Sequence, residues 1–190
     1  MKRLVENINK EYVAHIEKIK KISLYEENNS GNKKDKPYMV QFVLPDESYE
    51  VIVVKNLEKL SASLSYSKNT PSDCDYIIIN LIEKEIYYIE LKASNNFKLK
   101  KVSKQFLSGQ QWLKHFCFCS DIENEDLETF TSFNVWWEFA NGRLCSVIEP
   151  HYTEETNILK VQGSIFILSK IQHMISHSIN QNAMLVSQKH

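Results

Sequence analysis

Three residues of this chain have the types and spacing needed to hold a metal ion against a phosphate. Asp75 opens an apolar run, Asp75-Tyr-Ile-Ile-Ile-Asn-Leu-Ile82. After 14 intervening residues a second run, Glu85-Ile-Tyr-Tyr-Ile, ends in Glu90-Leu91-Lys92. Strand side chains alternate, so Glu90 and Lys92 project from one face and Leu91 from the other. If the two runs form a hairpin, the start of the first lies beside the end of the second, and Asp75 joins Glu90 and Lys92. Charges in apolar strands cost desolvation unless they serve one another or a ligand. Two carboxylates offer oxygen ligands to a hard cation such as Mg²⁺ or Mn²⁺. Such an ion polarises a phosphoryl oxygen and lowers the pKa of its bound water. Lys92 would steady the attacking water or the pentavalent phosphate charge. The bland alternative is an exposed ion pair at a strand end, since a bare Glu-x-Lys is common.

The elements that must position these groups are read from periodicity. Residues 75–82 and 85–92 are predicted strands, joined tightly through Glu83-Lys84, and their unbroken apolar character predicts cover on both faces. Val102, Phe106, Gly109, Leu113 and Phe116 recur at spacings of 4, 3, 4 and 3, which predicts a helix over 99–116. Val5, Ile8, Tyr12, Ile16 and Ile19, at spacings of 3, 4, 4 and 3 over 4–22, predict an N-terminal helix. Residues 38–44 and 49–54 read as strands around the turn Pro45-Asp46-Glu47-Ser48. Residues 26–37 and 121–128 read as polar loops, and 60–74 shows no clear period. Phe133–Ala140, then Asn141-Gly142, then Arg143–Ile148 read as a hairpin, because Asn-Gly is a strong two-residue turn signal. Residues 163–168 suggest a further strand and 169–180 a helix. The sum is one α/β domain over 1–190. Its core lies at about 4–140, and residues 141–190 form a C-terminal strand and helix elaboration.

At these residues the chain resembles the PD-(D/E)xK nuclease superfamily, which includes many restriction endonucleases. That family has an acid before one strand and Glu/Asp-x-Lys on the next; here the text is Pro71-Ser72-Asp73-Cys74-Asp75-Tyr-Ile-Ile-Ile, then Tyr-Tyr-Ile-Glu90-Leu-Lys92. The resemblance implies a restriction-endonuclease-like core, a mixed central sheet flanked by helices. It implies Asp75 and Glu90 as metal ligands, Lys92 as catalytic lysine, and hydrolysis of phosphodiesters, in DNA ahead of RNA. It also implies a glutamine on the following helix; Gln105, Gln110 and Gln111 are available and Gln105 is favoured. An acid on the first helix, Glu11 or Glu17, would join the site. The family's Pro and Asp are not adjacent here, so Asp73 competes with Asp75, which abuts the strand and is preferred. A small nuclease of this kind suits a prokaryotic restriction or antiviral defence system, working through self-association or a partner subunit. The rival reading is a nuclease-fold module without activity that binds protein or nucleic acid in a larger assembly.

Lys98, Lys100, Lys101 and Lys104 lie just past the motif. They suit nucleic-acid phosphates, with a solvated helix face as the plain alternative. The chain carries 23 basic and 24 acidic residues, a formal charge of −1. This excludes an indiscriminate polyanion coat but permits a local basic face. Of the basic residues only Arg3 and Arg143 are arginine, so bidentate guanine readout is scarce. Trp112, Trp136 and Trp137 are expected in core or interface packing rather than base stacking, with one of the adjacent pair exposed. His115-x-Cys117-x-Cys119 is read as thiols in a core, and His173 and His177 as a surface pair. The composition, the lack of a signal peptide and the absence of a membrane-length apolar run predict a cytoplasmic protein without a membrane partner.

Overall fold

The structure, a computed structural model, describes residues 1–26, 38–64, 73–92, 98–144, 146–152 and 157–168. The elements are α1 (Lys2–Asn7), β1 (Val13–Glu17), β2 (Lys21–Glu26), β3 (Tyr38–Val43), β4 (Glu50–Lys55), α2 (Leu57–Leu64), β5 (Tyr76–Asn80), β6 (Glu85–Lys92), α3 (Leu99–Cys119), α4 (Asn124–Glu128), β7 (Thr131–Leu144), β8 (Ser146–Tyr152) and β9 (Asn157–Ile167). The strands form one nine-stranded mixed sheet in the order β1-β4-β5-β6-β7-β9-β3-β2, with β8 attached to β9. The mixed α/β class follows.

The centre of the sheet agrees with the sequence reading. β5 and β6 are an antiparallel pair closed by a turn over residues 81–84, with Tyr76 opposite Ile89 and Asn80 opposite Glu85. Both strands are buried on both faces, as their unbroken β-branched runs require. β6 then continues through α3 to β7, which lies parallel to it from Glu85↔Thr131 to Lys92↔Glu138. A parallel neighbour needs a long crossover, and the 21-residue α3 supplies it.

Alternation divides the core in two. Ile86, Tyr88, Trp136 and Ile158 face the helices, where Leu4 of α1, Leu57 of α2 and Val102, Phe106 and Leu113 of α3 cover them. Tyr87, Ile89, Leu91, Val135, Trp137 and Phe166 face the other way. There they meet Ile22, Leu24, Val40 and Phe42 from β2 and β3. The sheet therefore curls over itself. Phe42 stacks on Phe166 at 4.9 Å, and the Tyr76 hydroxyl of β5 both receives from Tyr25 N–H and donates to Tyr25 C=O of β2. Among the described residues the helices lie on one face only, so the expectation of a sheet flanked by helices needs this correction.

Other expectations are also overturned. The N-terminal helix over 4–22 is only six residues, and Tyr12–Ile19 instead contributes β1, paired with β4 from Val13↔Val54 to Glu17↔Glu50. The 3,4,4,3 spacing loses to pairing because β-branched Val13 and Ile16 suit a pleated strand as well as a helix face. β3 and β4 flank Pro45–Ser48 but do not pair with each other; β3 pairs with β2 and β9. α2 occupies part of the segment without a clear period, and α4 part of the acidic loop. No hairpin forms at Asn141-Gly142: β7 runs through it with a register shift between Phe139 and Leu144, and β8 pairs with β9. The strand read at 163–168 spans Asn157–Ile167 and sits inside the sheet, between β7 and β3. Gly163 takes φ 149°, a region open chiefly to glycine, at the register shift in the β7–β9 pairing and where the other edge of β9 passes from β8 to β3. The helix read at 169–180, with His173 and His177, and most of the loop at 26–37 lie outside the described residues.

Candidate functional site

The β5–β6 register carries Asp75 and Glu90 to one end of the pair. Tyr76 opposes Ile89, so the next residues outward, Asp75 and Glu90, are neighbours. The Asp75 carboxylate turns onto β6 and accepts the Leu91 N–H through Oδ2 at 2.6 Å. Glu90 and Lys92 share the face covered by α3, and the Lys92 ammonium pairs with Glu90 Oε1. Glu90 is fully buried, while Asp75 and Lys92 are half-buried, so the cluster opens towards solvent through them. Lys92 Nζ lies 5.9 Å from the centre of the Trp136 ring, which gives the ammonium an apolar floor.

α3 delivers the fourth group. Gln105, on the buried face with Val102, Phe106 and Gly109, donates through Nε2 to Glu90 Oε1 and to the Asp73 carbonyl at 3.4 Å. Two acceptors on one side fix the amide's orientation. The Gln105 Oε1 is then left buried and without a hydrogen-bond partner. A buried acceptor without a donor costs free energy, which a ligand bringing a donor would relieve. Gln110, half-buried, instead donates to Asn134 Oδ1 at 3.5 Å, and Gln111 is exposed.

Gly109 allows the close approach that Gln105 needs. A Cβ at that position would lie 2.4 Å from Cys74 Sγ, closer than the two atoms can approach. Gln105 is one turn earlier on the same face. Burial pushes the Cys74 thiol well above its ordinary pKa, and the charges of Glu90, Asp75 and Asp73, in that order, push it further.

Asp73 and Asp75 have different surroundings. The buried Asp73 carboxylate accepts hydrogen bonds from the hydroxyls of Ser61 on α2 and Ser108 on α3, and from Trp112 Nε1 at 3.1 Å. It ties two helices to the start of β5, with its oxygens occupied by protein donors. Asp75, half-buried beside Glu90, has the more open position.

The same face carries charge that the sequence reading missed. Glu138 lies across from Lys92 in the parallel ladder and is 7% exposed. Its Oε1 accepts from Gln162 Nε2 at 3.2 Å, and its Oε2 lies 3.9 Å from the ammonium of buried Lys160. An acid inside the run Val135-Trp-Trp-Glu138-Phe is the same kind of signal that drew attention to Glu90. The reading of this segment as a hairpin did not single it out.

The remaining candidates are placed as follows. Lys98, Lys100, Lys101 and Lys104 are all exposed at the start of α3. Glu11 lies in the turn before β1, and Glu17 ends β1 opposite Glu50, so neither is on a first helix. Trp136 and Trp137 do face opposite sides of β7, but both are fully buried rather than one exposed. Cys117 is buried and Cys119 exposed, with its Sγ 3.6 Å from His115 Nε2. No helix among the described residues is long and apolar enough to cross a membrane. Comparison with protein-family models, with curated proteins and with solved structures gives no match for this chain.

Proposed function

We propose that the chain is a divalent-metal-dependent nuclease with a restriction-endonuclease-like core, in which Asp75 and Glu90 hold the ion. The observation that carries this reading is the meeting of Asp75, Glu90, Lys92 and Gln105 at one partly open end of the β5–β6 pair. Two further features support it: the helix that follows the Glu-x-Lys strand packs on the Glu90 face, and the central sheet is mixed. The donor set also fits the ion. Two carboxylates supply hard oxygen ligands, and Gln105 Oε1 offers a buried acceptor beside them, suited to a bound water.

When bound, the ion would supply Lewis-acid polarisation of the phosphoryl oxygen and a more acidic water. The protein's part is positioning and charge. Gln105 fixes the Glu90 carboxylate from the helix side. Lys92 places an ammonium beside the reacting phosphate, where negative charge grows. Lys98, Lys100, Lys101 and Lys104 contact flanking phosphates through charge, with the salt sensitivity such contacts carry. DNA is the proposed substrate, and a restriction or antiviral defence system, with self-association or a partner subunit, the proposed setting.

The rival is an inactive nuclease-fold module, favoured by the direct engagement of Glu90 by Lys92. Incubation with plasmid and single-stranded DNA or RNA, in Mg²⁺ or Mn²⁺ against EDTA, separates them. The nuclease reading expects cleavage with the metal, lost in EDTA, in Glu90→Ala and in Lys92→Ala. Cleavage that persists in both variants removes the assignment.

A further inference from the structure

A second group of metal-ligating side chains lies on the edge strand β1 and its neighbour β4, beside the Asn80 end of β5 and away from the Asp75 end. Glu17 and Glu50 are direct cross-strand partners, and His15 stands two residues before Glu17 on the same side of β1. One ligand atom from each of the three lies within 4.8 Å of the other two. Two carboxylates directly opposed on an antiparallel pair repel each other and destabilise the pairing unless a positive charge lies between them. Lys2 reaches Glu50 Oε1 at 2.8 Å, but its side chain is 68% exposed and free to swing into solvent.

The second observation is the way the imidazole sits between the two acids. His15 Nε2 is 2.7 Å from Glu50 Oε1, and both atoms are buried although their side chains are one-fifth exposed. Glu17 Oε1, 3.5 Å from His15 Nδ1, closes the group.

We infer that His15, Glu17 and Glu50 form a binding site for a first-row transition cation of the Zn²⁺ type, separate from the Asp75–Glu90 centre. One imidazole nitrogen and two carboxylates are a donor set matched to such an ion and poorly matched to Mg²⁺. Three protein ligands leave one tetrahedral position for water. The ion would also brace the edge strand β1 against β4 and offset the repulsion between the two acids.

The test is titration of the full chain with Co²⁺, read by its visible d–d absorption, and with Zn²⁺ in competition with a chromophoric chelator. In the Glu90→Gln background, which removes the other proposed centre, the site predicts 1:1 binding without a thiolate charge-transfer band. Binding should weaken by about tenfold or more in His15→Gln, since each tenfold corresponds to a modest loss of ligand energy, and should be retained in Glu90→Gln. Circular dichroism of His15→Gln checks that the fold is kept. The inference is overturned if wild type takes up no stoichiometric ion, or if binding survives His15→Gln. It is equally overturned by a thiolate band, which would place the ion at Cys119 and His115, or by loss in Glu90→Gln alone, which would place it at the other centre.

Discussion

Replacing Lys92 with methionine tests how the candidate centre is held together. Glu90 is fully buried, and its carboxylate relies on the Lys92 ammonium and the Gln105 amide. Removing one partner of a buried pair costs about 3–5 kcal/mol. Lys92 is 29% exposed and Gln105 still donates, so the loss should be lower, about 2 kcal/mol. For a chain of this size that is a fall in Tm of roughly 4–8 °C in EDTA. Two further consequences follow from the same geometry. Mg²⁺ or Mn²⁺ at a hundred times its Kd should return about 2.7 kcal/mol, because the ion binds only the folded state. The double variant Glu90→Gln, Lys92→Met should be less destabilised than the sum of the single ones, since no buried charge is then left alone. Differential scanning calorimetry of the four proteins with and without metal gives the answer. A Lys92→Met Tm within about 1 °C of wild type in EDTA, or strictly additive variants, would refute the reasoning.

Gly109→Ala should lose roughly 1–3 kcal/mol in urea denaturation, because the new methyl meets Cys74 Sγ at 2.4 Å; Cys74→Ala in that background should restore part of the loss. Alkylation at pH 8, followed by peptide mapping, should label exposed Cys119 quickly and leave Cys74 and Cys117 protected until unfolding, since burial raises both thiol pKa values. Stability should fall on the alkaline side. Cys117 is pushed up to about 11, chiefly by burial, and Tyr49 to about 12 by burial and its hydrogen bond to Glu83. Both groups are neutral in the fold while the unfolded chain ionises first, so their contribution is complete below about pH 9 and is lost as pH rises towards 12. A urea midpoint that is flat across this range would contradict it, and Tyr49→Phe should flatten only the upper part.

The legible parts of the fold were those fixed by local pattern. The β5–β6 hairpin follows from two β-branched runs with a short polar break, and α3 from an apolar stripe long enough to dominate its segment. The same patterns place Asp75, Glu90, Lys92 and Gln105, and the choice of Gln105 over Gln110 and Gln111 agrees with its position on the stripe. What was not legible depends on distant partners. Val13 and Ile16 fit a helix face or a strand, and only their distant partners on β4, Val54 and Val51, decide between them. Asn141-Gly142 is a turn signal in isolation, yet β7 passes it with a register shift and pairs with β9 again at Leu144↔Ile165. Asp73 and Asp75 cannot be ranked by spacing alone; Ser61, Ser108 and Trp112, brought from two helices, occupy the first and leave the second more open.

The account rests on a cation binding between Asp75 and Glu90. Crystals soaked in Mn²⁺ and measured by anomalous scattering test this most directly. The account predicts an anomalous peak within ligand distance of a carboxylate oxygen from each residue, about 2.0–2.2 Å for an ion of this kind, with the peak gone in Glu90→Gln. A fully occupied Mn²⁺ elsewhere with none at this pair, or Asp75 and Glu90 turned away from each other in the soaked protein, would contradict it.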